Sequence, residues 1–330
     1  MTSEIHTPFI SVIVPTYNRA HIIATTIENI LAQSYKNFEL IVVNDGSSDD
    51  TNKAIQPYLD KIIYIEQENK GITGARNTGI RASKGEWIAL QDSDDYWDTH
   101  KLEQQVQDIA DHPGLNVYFL ETYLERNHLE GEVRSYEHSG FDQYLNKNQF
   151  TTFERPLSYH VKYGVAWVQT TLIRREVLFD IGLYDEWLTL FTDLDLFCRL
   201  GLKGQWGFHD KPLVKVQRVA EDKSYISSQR TNTPAKPYRN LAYILEKIRF
   251  SSELTPDEAT AITKRLYNSY SGLGNELYKE GDKQGARDCF RRAMQLEKNP
   301  RITIKFLLTF LMLRHNVSEY RPVIPKGNWY

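Results

Sequence analysis

Phe9-Ile10-Ser11-Val12-Ile13-Val14 stops at Pro15-Thr16-Tyr17-Asn18, and this β-branched run ending in turn chemistry decides the fold. Short, almost unbroken apolar runs are strands buried on both faces, the habit of parallel sheets. Working outward, His21 to Gln33 sets Ile22, Ile23, Ile27, Ile30 and Leu31 at helical spacing, and Phe38 to Val43 reads as a second strand. Ser47, Ser48, Asp49 and Asp50 supply capping groups for a helix to about Leu59. Ile62 to Ile65 then reads as strand, Gly74 to Ser83 as helix and Glu86 to Leu90 as a fourth strand. This alternation predicts an α/β fold with a mostly parallel central sheet flanked by helices.

Beyond Lys101 the spacing predicts a helix to Asp111, a strand over Leu115 to Tyr123, extended chain over Val165 to Ile173 and Pro212 to Val216, and a helix over Thr192 to Leu202. A Tyr-, Asn- and Gln-rich stretch up to about residue 160 carries no period. After the polar segment Ser224 to Pro237 the chain turns helical, which predicts one domain over 1–235, divided into halves 9–95 and 96–235, and a helical region over 236–330. In that region Tyr270, Leu273, Gly274, Leu277, Ala286, Phe290 and Ala293 fall at the spacing of one tetratricopeptide-like hairpin turning at Gly281-Asp282. One such unit cannot bury its own apolar face. It is expected to pack on the helix before it, on Ile302 to Leu313 after it, or on a protein partner or second copy.

With 330 residues, 41% hydrophobic and 25% charged, the chain has the composition of a two-domain globular protein. Its net charge of −3 argues against nucleic acid as a partner. Cys198 and Cys289 stand far apart without metal-ligand spacing, which fits a reducing, cytoplasmic setting. No signal peptide precedes the first strand, and Phe306 to Leu313 is too short to span a bilayer.

Asp45 follows the second strand, and Asp92, Asp94 and Asp95 follow the fourth, so the fold brings all of them to the carboxyl edge where open α/β sheets bind ligands. Asp92 and Asp94 are hard oxygen ligands suited to Mg²⁺ or Mn²⁺, and such an ion takes further ligands from substrate phosphates. The same loop also reads as turn and cap chemistry, with Asp98 or Thr99 capping the next helix. Arg76, expected in the first turn of its helix, is placed to meet a phosphate or to pair with a neighbouring acid. No Gly-x-Gly-x-x-Gly or Walker loop is present, which removes hydride transfer and P-loop ATPase chemistry.

Val14-Pro15-Thr16-Tyr17-Asn18-Arg19, Val43-Asn44-Asp45-Gly46-Ser47-Ser48-Asp49, Asn69-Lys70-Gly71 with Ala75-Arg76-Asn77-Thr78-Gly79, and Leu90-Gln91-Asp92-Ser93-Asp94-Asp95 together resemble the family 2 glycosyltransferases of GT-A fold. The resemblance continues through Gly182-Leu183-Tyr184-Asp185-Glu186 and Thr192-Asp193-Leu194-Asp195-Leu196, and covers about residues 9 to 225. It implies inverting, metal-assisted transfer from a nucleotide sugar, with a uridine diphosphate sugar favoured, to a hydroxyl of a glycan or lipid-linked glycan in surface polysaccharide synthesis. It also implies that Pro15, Thr16 and Tyr17 border the nucleotide, that Asp45 accepts from the base, and that Asn69 and Arg76 lie beside base or diphosphate. Asp92 and Ser93 then meet ribose or sugar, and Asp94, with Asp92, binds the cation. Asp193 stands in the place of the catalytic base.

The pattern departs at Thr192, where the family usually has Glu, and at Ala220, where it often has His. Arg218 is the expected auxiliary phosphate contact and His209 an alternative ligand. Asp195 is expected to pair with backbone amides behind Thr192 as cap. Trp97, beside the acidic loop, is a candidate to stack on a sugar ring. The competing reading is a catalytically weak nucleotide-sugar-binding or scaffold module that recruits partners through its tail. Residues 301–330 carry Arg301, Lys305, Arg314, Arg321 and Lys326 against Glu319. Peripheral contact with the inner face of the plasma membrane therefore stands beside simple packing of this helix on the hairpin.

Overall fold

The computed structural model describes residues 7–126, 133–145, 149–218, 233–251 and 253–311, and the chain divides into two compact units, 1–221 and 222–330. In the first unit the strands are β1 (Ile10–Thr16), β2 (Phe38–Asn44), β3 (Ile63–Glu66), β4 (Trp87–Leu90), β5 (Tyr96–Trp97), β6 (Val117–Arg126), β7 (Val133–Arg134), β8 (Phe150–Phe153), β9 (Thr171–Arg174) and β10 (Trp206–Arg218). Its helices are α1 (Ile23–Leu31), α2 (Thr51–Ile55), α3 (Gly71–Ala82), α4 (Lys101–Asp111), α5 (Ser135–Ser139), α6 (Leu157–Tyr163), α7 (Arg175–Asp180) and α8 (Thr192–Leu200). The strands form one sheet in the order β3-β2-β1-β4-β9-β6-β10-β5, with β7 added on β6 and β8 on β10. It is parallel through β3-β2-β1-β4. Beyond that it is mixed, because β9 runs antiparallel between β4 and β6 while β10 runs parallel to β6.

The period of two along these strands divides their side chains between two cores. Ile13, Ile41, Val43, Ile88 and Leu90 face Ala75 and Ile80 of α3 on one side. Ile10, Val12, Val14, Leu40, Val42 and Ala89 face Ile23, Ile27 and Ile30 of α1 and Leu102, Val106 and Ile109 of α4 on the other. Both faces are apolar because both are covered, which is why the first strands read as continuous runs. Helix α3 lies close on β1: a Cβ at Gly79 would stand 2.4 Å from Ile13 Cγ2. That approach carries Arg76 over the edge of the sheet.

In the second unit α9 (Ala235–Arg249), α10 (Pro256–Lys279), α11 (Lys283–Leu296) and α12 (Pro300–Leu311) pack in series. Thr255 and Glu258 form a capping box for α10, and Gly281, with φ of 88°, turns it into α11. The hairpin is thus covered by α9 on one side and α12 on the other. Both cysteines are buried, and neither forms a disulfide among the described residues. Among the described residues no helix is long and apolar enough to cross a membrane.

Candidate active site

The carboxyl ends of β1, β2 and β4 supply three adjoining loops. Asp45, just past β2, donates its N–H to the Thr16 carbonyl at 2.9 Å. Among the described residues both hydrogen bonds that its side chain accepts fall on Oδ1, from Gln67 Nε2 at 2.7 Å and the Lys70 N–H at 2.9 Å. Gly46 must follow, since its φ is 75° and a Cβ there would stand 3.0 Å from the Asn69 nitrogen. Asn69 is thereby held against the Asp45 loop and accepts from the Gly71 N–H. The β1 loop is sewn to the β2 loop by Asn18, which accepts from the Ser48 N–H and donates its own N–H to Ser47. Pro15 and Thr16 are buried at the end of β1, and the Thr16 hydroxyl has no partner among the described residues. Tyr17 is about half exposed beside them.

After β4 the acidic loop is a tight turn. Gln91 donates to the Asp95 carbonyl at 2.6 Å, and Thr26 of α1 donates to the Ser93 carbonyl at 2.8 Å. Ligand oxygens of Asp92, Asp94 and Asp95 lie within 4.8 Å of one another. Three hard carboxylate donors so close fit Mg²⁺ or Mn²⁺. Asp92 is engaged on both oxygens, by Arg76 at 2.7 Å and by Gln169 Nε2 at 2.7 Å, which fixes its orientation beside Asp94 and Asp95. The two carboxylates expected to bind the cation, Asp94 and Asp92, thus lie together, with Asp95 as a third in the same cluster. Nothing in the sequence marks Gln169, which sits in a single 3-10 turn ahead of β9.

Arg76 is the centre of the site. Helix α3 begins at Gly71, not Gly74, so Arg76 lies in its second turn, away from the N-terminal amides expected to help it. Its side chain is only 3% exposed and reaches two carboxylates, Asp92 through Nη2 and Asp193 through Nη1, each at 2.7 Å. The Tyr184 ring lies 5.2 Å from its guanidinium carbon, and Tyr184 Oη is 3.5 Å from Asp193. Burial penalises the cation, but the two acids outweigh that and push its pKa well above the ordinary value. For Asp193, crowding by protein at the floor of the site raises the carboxyl above its usual pKa; Arg76 opposes this and Asp92 adds to it. The side chain nevertheless keeps 42% of its surface open to solvent. It is a carboxylate held in place, reachable, and more basic than a surface aspartate.

The remaining candidates fall on both sides of this centre. Thr192 opens α8 but is not its cap; Phe191, at φ of 59°, holds that place, a left-handed conformation uncommon in a bulky residue. Asp195 is fully buried and paired with Arg199, with Oδ2 2.9 Å from Nε. Trp97 is not a sugar platform. It is completely buried in the α1–α4 core with Lys101 Nζ 3.6 Å over its ring, because the alternation of β5 turns Tyr96 outward and Trp97 inward. His209 donates or accepts through Nδ1 at 2.8 Å from Asp108 and serves the sheet. Arg218 ends β10; the antiparallel register Val214↔Trp97, Lys215↔Tyr96 runs this strand toward the acidic loop. Ala220 lies outside the described residues.

A half-parallel α/β sheet whose carboxyl edge carries an acidic turn, joined by a guanidinium to an aspartate at the start of a later helix, defines the chain as a GT-A-type sugar transferase. Residues 11–182 match the Glycosyl transferase family 2 domain, and the chain belongs to that family; it is a glycosyltransferase. It is 30% identical over 285 residues to an uncharacterized glycosyltransferase of Rickettsia prowazekii, covering 85% of this chain and 83% of that one. A UDP-Glc:α-D-GlcNAc-diphosphoundecaprenol β-1,3-glucosyltransferase, WfgD of Escherichia coli, is 41% identical over 99 residues, 29% of this chain and 39% of that protein. Residues 1–349 of S. aureus TarS in complex with UDP superpose with a TM-score of 0.65 at 19% identity, over 92% of this chain and 89% of that one, a likeness of fold.

Proposed function

We propose that this enzyme transfers a sugar, with inversion, from a uridine diphosphate sugar to a hydroxyl of a glycan or lipid-linked glycan, using Asp193 as base. The observation that carries the reading is the bridge Asp92–Arg76–Asp193, in which one buried guanidinium holds a donor-side and an acceptor-side carboxylate 2.7 Å from its two nitrogens. Inversion needs a base facing the incoming alcohol from the side opposite the leaving diphosphate. Asp193, open to solvent and raised in pKa, suits that task. Asp45 stands two strand spacings from β4, roughly 10 Å away, a span suited to an extended ligand with its base at Asp45 and its phosphates at the acidic loop. Pro15, Thr16, Tyr17 and Asn69 would flank the nucleoside, with Ser93 and Arg218 toward the phosphates.

Asp94 and Asp92, with Asp95 in the same cluster, would hold Mg²⁺ or Mn²⁺. Such an ion, when bound, supplies Lewis-acid stabilisation of a leaving diphosphate. The protein's own part is separate: Arg76 and Gln169 fix Asp92, and Arg76 and Tyr184 fix Asp193, so the base needs no reorganisation when the acceptor hydroxyl arrives. The names of the E. coli relative and of the TarS complex support the choice of a uridine nucleotide and a lipid-linked acceptor.

The test is nucleoside diphosphate release from a panel of nucleotide sugars with Mn²⁺, alongside donor-induced thermal stabilisation. Uridine donors should stabilise the enzyme most and be slowly hydrolysed. Asp193→Asn should still be stabilised by donor while transfer to an acceptor glycan falls by about 10²–10⁴-fold. Equal transfer by Asp193→Asn, or a flat response across nucleotides, refutes the assignment.

A further inference from the structure

The second unit presents a surface that sugar transfer does not use. Helix α12 carries apolar side chains well beyond the face it packs with: Ile302 and Thr309 are buried in its contact with α11, while Ile304, Leu307, Leu308 and Phe310 are 57%, 54%, 45% and 53% exposed. Ile304, Leu307 and Leu308 follow the i, i+3, i+4 spacing of one stripe, with Phe310 on its flank. A helix at the edge of a water-soluble fold normally turns a polar face outward. Single exposed leucines are ordinary, but a contiguous stripe of them marks an interaction surface.

We infer that this stripe and its rim dock on an anionic phospholipid surface. The rim is cationic. Arg291, Lys298 and Arg301 are exposed beside the stripe, and the Arg287 guanidinium lies 3.9 Å over the Phe310 ring. Between residues 283 and 311 there are seven Lys or Arg against only Asp288 and Glu297, although the whole chain carries a net charge of −3. Helix α12 itself contains no acid. Past Leu311 the sequence adds Arg314, Arg321 and Lys326 against Glu319.

Apolar side chains with basic neighbours match an anionic bilayer: the charges meet headgroup phosphates while the stripe enters the acyl boundary. A second copy is a poor occupant, since a two-fold contact would set this basic rim against itself. At roughly 18 Å of helix, α12 lies in the interface and cannot span the bilayer.

The experiment is co-sedimentation of the full chain, without donor, with neutral phosphatidylcholine vesicles and with vesicles containing a quarter phosphatidylglycerol. Anionic vesicles should bind at least roughly tenfold more tightly, with the difference shrinking at high salt. Leu307→Asp with Leu308→Asp should abolish binding, and Arg291→Glu with Arg301→Glu, which keeps the apolar stripe, should abolish the anionic preference. All these side chains are exposed, so both variants should keep the thermal transition and donor hydrolysis of the parent. Absence of vesicle binding, equal binding to neutral lipid, or unchanged binding by the Leu307/Leu308 variant overturns the inference. So does a lipid-free dimer in sedimentation velocity that the same variant converts to monomer. None of these readouts depends on catalysis, so failure here leaves the proposed reaction standing.

Discussion

Replacing Arg76 with Met removes the one cation between Asp92 and Asp193 while keeping most of the side-chain volume. Removing one partner of a fully buried ion pair costs about 3–5 kcal/mol, because the other charge is stranded. Here the stranded acids are partly wet: Asp193 keeps 42% and Asp92 27% of side-chain surface in solvent. Water can take over part of the role of the guanidinium, so a smaller loss of about 2–3 kcal/mol is expected. For a unit of this size that lowers the melting temperature by roughly 5–10 °C.

The loss should depend on pH, and its sign follows from Asp193. Its folded pKa lies above the ordinary aspartate value, so the folded state holds a proton that the unfolded chain has released. Stability from this group therefore declines as pH rises from the unfolded pKa through the folded one. Without Arg76, the opposing influence disappears and the folded pKa rises further. The melting deficit of Arg76→Met should be largest at neutral pH and should narrow on acidification, as Asp193 becomes protonated in both proteins. The acid limb of the transfer pH profile should move upward for the same reason. Thermal melts by circular dichroism between pH 4 and 8, with turnover profiles, check both. A melting deficit under 1 °C, or an acid limb that moves downward, refutes the bridge as the force that positions the base.

Other consequences are measured more simply. If Asp94 and Asp92 hold the cation, Mn²⁺ at a hundred times its Kd should stabilise the parent by about 2.7 kcal/mol, and a tenfold affinity loss in Asp94→Asn should roughly halve that at the same concentration; an unchanged shift removes Asp94 from the site. Trp97→Ala should lower stability by about 3–5 kcal/mol while surviving enzyme keeps its donor KM, since the ring is core; a raised KM with little loss of stability would restore it to the sugar site. Gly46→Ala forces a positive φ on alanine and crowds the Asn69 backbone, so stability should fall by about 1–2 kcal/mol and donor KM should rise more than kcat falls. A variant that alters neither would show that the Asp45 loop does not meet the donor.

Strands β1, β2 and β4 were legible because helices that neighbour them in sequence bury both their faces, whereas β3, at the sheet edge, is half-buried and was marked only by its short β-branched run. The stretch from β7 to α6 was not legible, because distant residues hold it. Phe141 and Phe153 lie 5.7 Å apart, Tyr136 packs 5.1 Å from Phe208, and β8 finds its ladder on β10, with Phe153 opposite Trp206. A Tyr-, Asn- and Gln-rich composition hides aromatic anchors whose partners are supplied by β10. The tetratricopeptide-like hairpin was legible for the opposite reason: its pairs are local, and Gly274 passes the Phe290 ring so closely that a Cβ would stand 2.6 Å from it.

Within the site, motif spacing located the carboxylates but not what holds them. Arg76 and Asp193 are 117 positions apart, and no local period links them. The reading that put Arg76 at the helix start failed by one turn because α3 begins on Gly71, at φ of 73°, without a side-chain cap to mark it. That turn matters physically. One turn in, Arg76 reaches both Asp92 and Asp193. The Thr192 departure also takes on a different meaning. A glutamate there would add negative charge next to Asp193, whereas the Thr192 hydroxyl, 3.4 Å from Asp193 Oδ1, adds only a weak donor. The pKa of Asp193 is then set chiefly by burial, Arg76 and Asp92, while Asp195, the other acid of its helix turn, is paired with Arg199. In this chain the guanidinium of Arg76, more than the residue before Asp193, governs how readily Asp193 takes a proton.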